Sequence, residues 1–186
     1  AVYSDYTAEQ SIALLGPEKI SNGTFDSATT GWSALDSAVL SVDNQRLKIT
    51  VGVNGTYGKA EQAIATNPGS TYQVVVRGSD GNVTASVRAG TLSTASDLGS
   101  ADITSNFFPF FFTATGNTTY ICIALKSNTL NYSTIVDNIS VKRILPPLGT
   151  IENVTNGTFD SSTTGWSALD NAVLSVDNQR LKITVG

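Results

Sequence analysis

An antiparallel β-sandwich preceded by one short helix is the fold this sequence predicts. Short runs in which apolar and polar residues alternate recur along most of the chain, with Gly, Pro, Asn and Asp clusters between them. Only one stretch carries helix-capping chemistry. The chain also repeats itself: residues 154–186 match residues 20–52 at a constant offset of 134, with four differences in 33 positions. The differences (Ile20/Val154, Ser21/Thr155, Ala28/Ser162, Ser37/Asn171) are all mild. That period is too long for a solenoid unit and suits a whole domain, so the expected organisation is one full module and the first quarter of a second.

The elements follow in order. Thr7-Ala8-Glu9-Gln10 has capping-box spacing, Ile12, Leu14 and Leu15 follow as an apolar run, and Gly16-Pro17 supplies a stop. The spacing predicts a helix over 7–15. A helix of two turns is marginal by itself and needs a surface to pack on. Residues 38–42 and 46–51 flank Asp43-Asn44-Gln45 and read as a hairpin. A third piece spans 56–65 and breaks at Asn67-Pro68-Gly69-Ser70; strands over 71–77 and 82–89 flank a turn at 78–81. Residues 90–105 read as a long polar connection. In residues 106–112 Phe108, Phe110 and Phe112 share one face, with Phe107 and Phe111 on the other. Pro109 removes a ladder donor, so this strand is an edge or is bulged there. Strands over 119–126 and 132–143 bring the count to eight or nine. The predicted organisation is an anchor peptide at 1–17, a sandwich at 18–145, a linker at 146–152, and the first strands of an incomplete second module at 153–186.

Composition excludes several functions. The chain has no histidine, one cysteine and a formal net charge of −4. Histidine-based catalytic triads and most zinc sites are therefore out, as are an internal disulfide and the basic patch that nucleic acid requires. No apolar run reaches the length of a membrane span. Neither paired catalytic carboxylates in a motif nor a phosphate-binding loop is present, so the chain reads as a non-enzyme. No signal-peptide pattern opens it, and the start at Ala1 fits trimming of an initiator methionine or removal of a leader. Cys122, in the alternating run Tyr120-Ile-Cys-Ile-Ala-Leu125, reads as a buried strand residue. The Asn-x-Ser/Thr sequons follow from a composition rich in Asn, Ser and Thr.

Asn22-Gly-Thr-Phe-Asp26, Thr30-Gly31-Trp32, residues 41–49, Phe110-Phe-Phe-Thr-Ala-Thr-Gly-Asn-Thr-Thr119 and Ile135-Val-Asp-Asn-Ile-Ser-Val-Lys142 occur in an order that resembles the jelly-roll carbohydrate-binding-module superfamily. Such modules occur on glycanases and on viral fibres. The resemblance covers residues 19–144 and implies a jelly-roll sandwich with Trp32 in its core. It also implies a structural calcium held by Asp26 and Asp137, with Asn22 beside them, in keeping with that ion's preference for hard oxygen ligands.

Sugar recognition needs exposed rings with polar groups beside them. Tyr57, between glycines, and Tyr132 are the candidate platforms, with Asn131, Arg77 and Arg88 as polar partners. Two tryptophans in the whole chain are few for a strong glycan binder. The sequence therefore reads first as a structural protein of a virion or cell surface, of the phage fibre, decoration or adhesin type. In that reading Tyr3, Tyr6, Ile12, Leu14 and Leu15 anchor it to other structural proteins, and it displays tandem modules that bind carbohydrate weakly. Phe107 and Phe111 are an association surface for a homo-oligomer. The alternative is an extracellular glycan-binding accessory module of a bacterial glycoside hydrolase or adhesin.

Overall fold

The computed structural model describes residues 14–103, 108–145, 158–159, 161–169 and 171–185. The chain divides into two compact units, and the larger spans Ile12–Leu145. Among the described residues this unit is all β, with no helix.

Its strands are β1 (Leu14–Glu18), β2 (Ser33–Leu35), β3 (Ala38–Val42), β4 (Leu47–Val51), β5 (Lys59–Ala65), β6 (Thr71–Gly81), β7 (Ala85–Gly90), β8 (Gly99–Ile103), β9 (Phe108–Thr113), β10 (Thr118–Leu125) and β11 (Ser133–Leu145). They form two antiparallel sheets. The first runs β3-β4-β11-β6-β9, with β1 also paired to β11, and the second runs β2-β5-β10-β7-β8. The alternation read from the sequence sets the inner faces. Leu47, Ile49, Val51, Val74 and Val76 of the first sheet meet Val87, Ile121, Ile123 and Leu125 of the second in one apolar cluster. Trp32 is buried there, its ring centroid 5.7 Å from that of Phe25, as the resemblance implied. Tyr72 is fully buried, stacks on Phe112 at 5.3 Å, and accepts a hydrogen bond at its hydroxyl from the Asn67 amide.

Three expectations change. Leu14 and Leu15 do not close a helix: they open β1, opposite Leu145 and Ile144. A strand of this unit supplies backbone partners that a two-turn helix lacks. The Glu18 carboxylate then ties this strand to β11, accepting hydrogen bonds from the amides of Lys19, Ile20 and Val141 and from the Ser140 hydroxyl. Tyr3, Tyr6 and Ile12 lie outside the described residues. Second, the polar connection after residue 90 contains a strand, β8, paired to β7. Third, β6 runs on through Gly81 rather than turning at 78, because β11 pairs with it as far as Gly81. Among the described residues the Phe-rich β9 is an edge strand paired only with β6. It turns Phe112 inward and leaves Phe111 51% exposed, while Phe107 lies outside the described residues.

The smaller unit contains β12 (Ala172–Val176) and β13 (Leu181–Val185), in the register of β3 and β4. Phe159 and Trp166 repeat the Phe25–Trp32 contact at 5.3 Å.

Candidate functional site

The second sheet has an outer face unlike an ordinary solvated exterior. The pairing of β5, β10, β7 and β8 aligns Glu61, Cys122, Arg88 and Ser100 in one row, and Lys59, Ala124, Ser86 and Asp102 in the next. All of them alternate with core residues and point away from the core. Yet Glu61, Ser86, Cys122 and Ala124 are buried. The cover comes from the loop joining β7 to β8. Ser93 Oγ donates to Glu61 Oε1 at 2.7 Å and the Thr94 amide to Oε2 at 2.6 Å, which holds the loop across this end of the face. Thr94 adopts φ +63° to reach it. At Gly90 an added Cβ would meet the Ala95 carbonyl at 2.5 Å, so only glycine admits the loop this close. The loop is further closed by Asp97, which accepts hydrogen bonds from the Thr91 hydroxyl at 2.7 Å and the Thr91 amide at 2.9 Å. These bonds hold its carboxyl below the usual carboxylate range.

The other end of the face carries two ion pairs. Lys59 pairs with Asp36, and Lys126 with Asp102 at 2.5 Å. The Arg88 Nε donates to Ser86 Oγ at 3.3 Å. Gly58 still bonds to β10 through Leu125 and faces Ala38 and Leu125 of the interior. Tyr57, two residues before the start of β5, is half exposed. The loop carrying Tyr57 is bonded to the loop before β11: the Gly55 amide donates to the Asn128 carbonyl and the Asn131 amide to the Val51 carbonyl. Asn131 and Tyr132 lie just before β11, and Val53, Leu130 and Tyr132 are exposed. Beneath the face, Cys122 is a buried thiol. Burial, and next the negative charge of Glu61, push its pKa up to about 12.

The five residues singled out for sugar recognition therefore separate. Arg88 lies on the outer face of the second sheet, Tyr57 precedes β5 of that sheet, and Asn131 and Tyr132 precede β11 of the first. Arg77 sits opposite Asp137, on the other sheet. Lys59, Glu61, Ser86 and Lys126 were missed, since each reads as an ordinary polar position of an alternating strand.

Of the three residues proposed for calcium, Asp26 and Asp137 line one recess of about 270 Å³, with Asn44, Gln45, Arg46 and Asn138. Asn22 serves elsewhere: its amide donates to the Ala28 and Thr30 carbonyls and shapes the loop before Trp32. Asp137 accepts from the backbone and side-chain amides of Asn138, both at 2.7 Å. The Arg46 guanidinium is engaged by Asp80 at 2.5 Å. Two carboxylates and three side-chain amides are hard oxygen donors of the kind calcium takes.

No protein-family model and no curated protein matches this sequence. Solved structures do share its fold. A domain named TmCBM61, solved in complex with β-1,4-galactotriose, aligns with a TM-score of 0.50 at 8% identity over 69% of this chain and 99% of its own. The N-terminal cellulose-binding domain of a Cellulomonas fimi β-1,4-glucanase aligns at 0.47, with 17% identity over 69% and 98%. Part of a tailspike from bacteriophage CBA120 aligns at 0.48, with 18% identity over 68% of this chain and 21% of that one. The larger unit thus shares the β-sandwich fold of the TmCBM61 domain.

Proposed function

We propose that the larger unit is a non-catalytic glycan-binding module, and that it binds sugar on the outer face of its second sheet. What supports this reading is the half-exposed Tyr57 ring just before β5, a strand whose outer side carries Lys59, paired with Asp36, with Arg88 on β7 of the same sheet. A flat ring stacks on the C–H face of a sugar. Ammonium and guanidinium groups donate to its hydroxyls and carboxylates accept from them, the division between apolar platform and few polar groups that small-ligand sites use. The β7–β8 loop covers the far end, so the accommodated length is short and the affinity modest. In this reading the module acts outside the cell, as an accessory to a glycanase or adhesin. The fibre role read from the repeat and the N-terminal segment gains no support from the fold.

Glycan-array screening tests the proposal. The unaltered chain retains a soluble oligosaccharide class at millimolar to micromolar affinity, and Tyr57→Ala weakens retention about tenfold or more with an unchanged melting temperature. A blank array at millimolar concentration, or a hit indifferent to Tyr57, contradicts it. Calcium at the Asp26–Asp137 recess is a separate proposal. Millimolar calcium then raises Tm through preferential binding to the folded state, and Asp137→Asn abolishes the rise. An unchanged Tm in the unaltered chain rejects it.

A further inference from the structure

A recess of about 390 Å³ lies at the seam between the two sheets, lined by Thr71, Asp97, Leu98, Phe111, Phe112 and Thr113. Asp97 and Leu98 lead into β8, an edge of the second sheet, and the rest belong to β6 and to β9, an edge of the first among the described residues. None of the six belongs to the two rows of the outer face. The floor of the recess is fixed by packing. Gly99 holds φ +137°, and an added Cβ would meet the Phe110 ring at 2.9 Å, so only glycine lets β8 begin this close to β9. Phe110 stacks on Phe112, and Phe112 on Tyr72, with ring centroids 6.3 and 5.3 Å apart. Leu98 packs against the same core.

The rim offers a ring, an acceptor and a donor. Phe111 is 51% exposed, while Phe112 beside it is buried. Asp97 accepts one bond from Thr91 at each carboxylate oxygen, which fixes the group and leaves a further lone pair on both. The Thr71 and Thr113 hydroxyls lie 3.2 Å apart, so one donates to the other and the second keeps a proton to give. Among the described residues no lysine or arginine lines the recess. We propose that this recess is a second sugar site, which takes a short neutral oligosaccharide with its C–H face on Phe111 and its hydroxyls on Asp97 and the threonine pair. An apolar floor with few convergent polar groups is the make-up of small-ligand sites, and the volume lies at the low end of their range of about 300–1,000 Å³, which suits a short sugar rather than a long chain. A basic side chain is the competing occupant of a ring beside a carboxylate. It fits less well: Phe is a weaker ring for cations than Trp, and an ammonium or guanidinium has no acceptor for the free threonine proton. A uronic acid is disfavoured, because its carboxylate would face Asp97 with no cation between them. The site stands independently of the outer face of the second sheet. If both bind, the module is bivalent, and weak sites joined in one body gain from effective concentration.

Amide shifts separate the two sites in one titration. The full, isotope-labelled chain is titrated with neutral di- and trisaccharides of several linkages, with their uronic-acid counterparts, and with N-acetylarginine amide. At least one neutral sugar at millimolar concentration is expected to shift the amides of Leu98, Phe111 and Thr113. Phe111→Ala is expected to weaken that binding about tenfold at an unchanged Tm, through loss of the stacked ring, and Tyr57→Ala to leave it as it is. Asp97→Asn is expected to weaken the neutral sugar as well and to bring the uronic acid closer to it. The proposal is overturned if no neutral sugar shifts these three amides, even where Lys59, Ser86 and Arg88 respond, a pattern that leaves the outer-face reading intact. Binding at these amides that is indifferent to Phe111→Ala and Asp97→Asn also overturns it. Shifts there from N-acetylarginine amide and from no sugar overturn it too, and assign the recess to basic side chains.

Discussion

Glu61 is the residue on which the candidate face turns. Its carboxylate is buried on the outside of a sheet, where a strand residue of alternating pattern is expected to meet water. Hydrogen bonds from Ser93 and Thr94 make that burial tolerable, and they fix the loop that narrows the face. The same negative charge lies close to Cys122 and, after burial itself, raises its pKa from 9.0 to about 12. The folded state therefore keeps a proton that the unfolded chain begins to release near pH 9. The contribution is complete below that pH and is lost as pH rises toward 12. Cys122→Ala is expected to flatten this part of the alkaline stability profile, measured by denaturant melts at stepped pH. An identical slope in both proteins contradicts the assignment. In the folded protein the thiol is also expected to resist maleimide at pH 8, where it is buried and protonated.

Among the elements, β1 shows what sequence reading achieved and where it stopped. Gly16-Pro17 after an apolar run reads as a helix stop, yet the same residues lie in a strand beside the end of β11. No local signal separates the two, because the partner strand is more than a hundred residues away. The same holds for Arg77 and Arg88, similar in sequence and carried on opposite sheets. Local chemistry was sufficient elsewhere: the β3–β4 hairpin around Asp43-Asn44-Gln45, the edge position of β9 at Pro109, and the inward turn of Phe112. The polar β8 escaped notice because Gly-Ser-Ala-Asp-Ile carries almost no strand signature. A truncation pair follows from β1. Removing residues 1–17 takes away Leu14–Pro17 and their ladder to β11, and is expected to cost about 2 kcal/mol, on the order of 5–10 °C in Tm, relative to removing residues 1–13. Equal melting temperatures for the two truncations argue that β1 adds nothing to the sandwich.

At the scale of the whole molecule, the sandwich and the repeat were legible from strand spacing and from the sequence itself. The proposed face was not, because it forms where β5, β7, β8 and β10 come together, and their order in the sheet is not their order in the chain. A module of this kind is a scaffold whose function resides in one surface. That surface is best located by NMR on the full, isotope-labelled chain titrated with a panel of soluble oligosaccharides of different linkage. Amide shifts concentrated at Tyr57, Lys59, Ser86, Arg88 and Lys126 are the expected result. Shifts confined to the first sheet, or none at millimolar ligand across the panel, contradict the account.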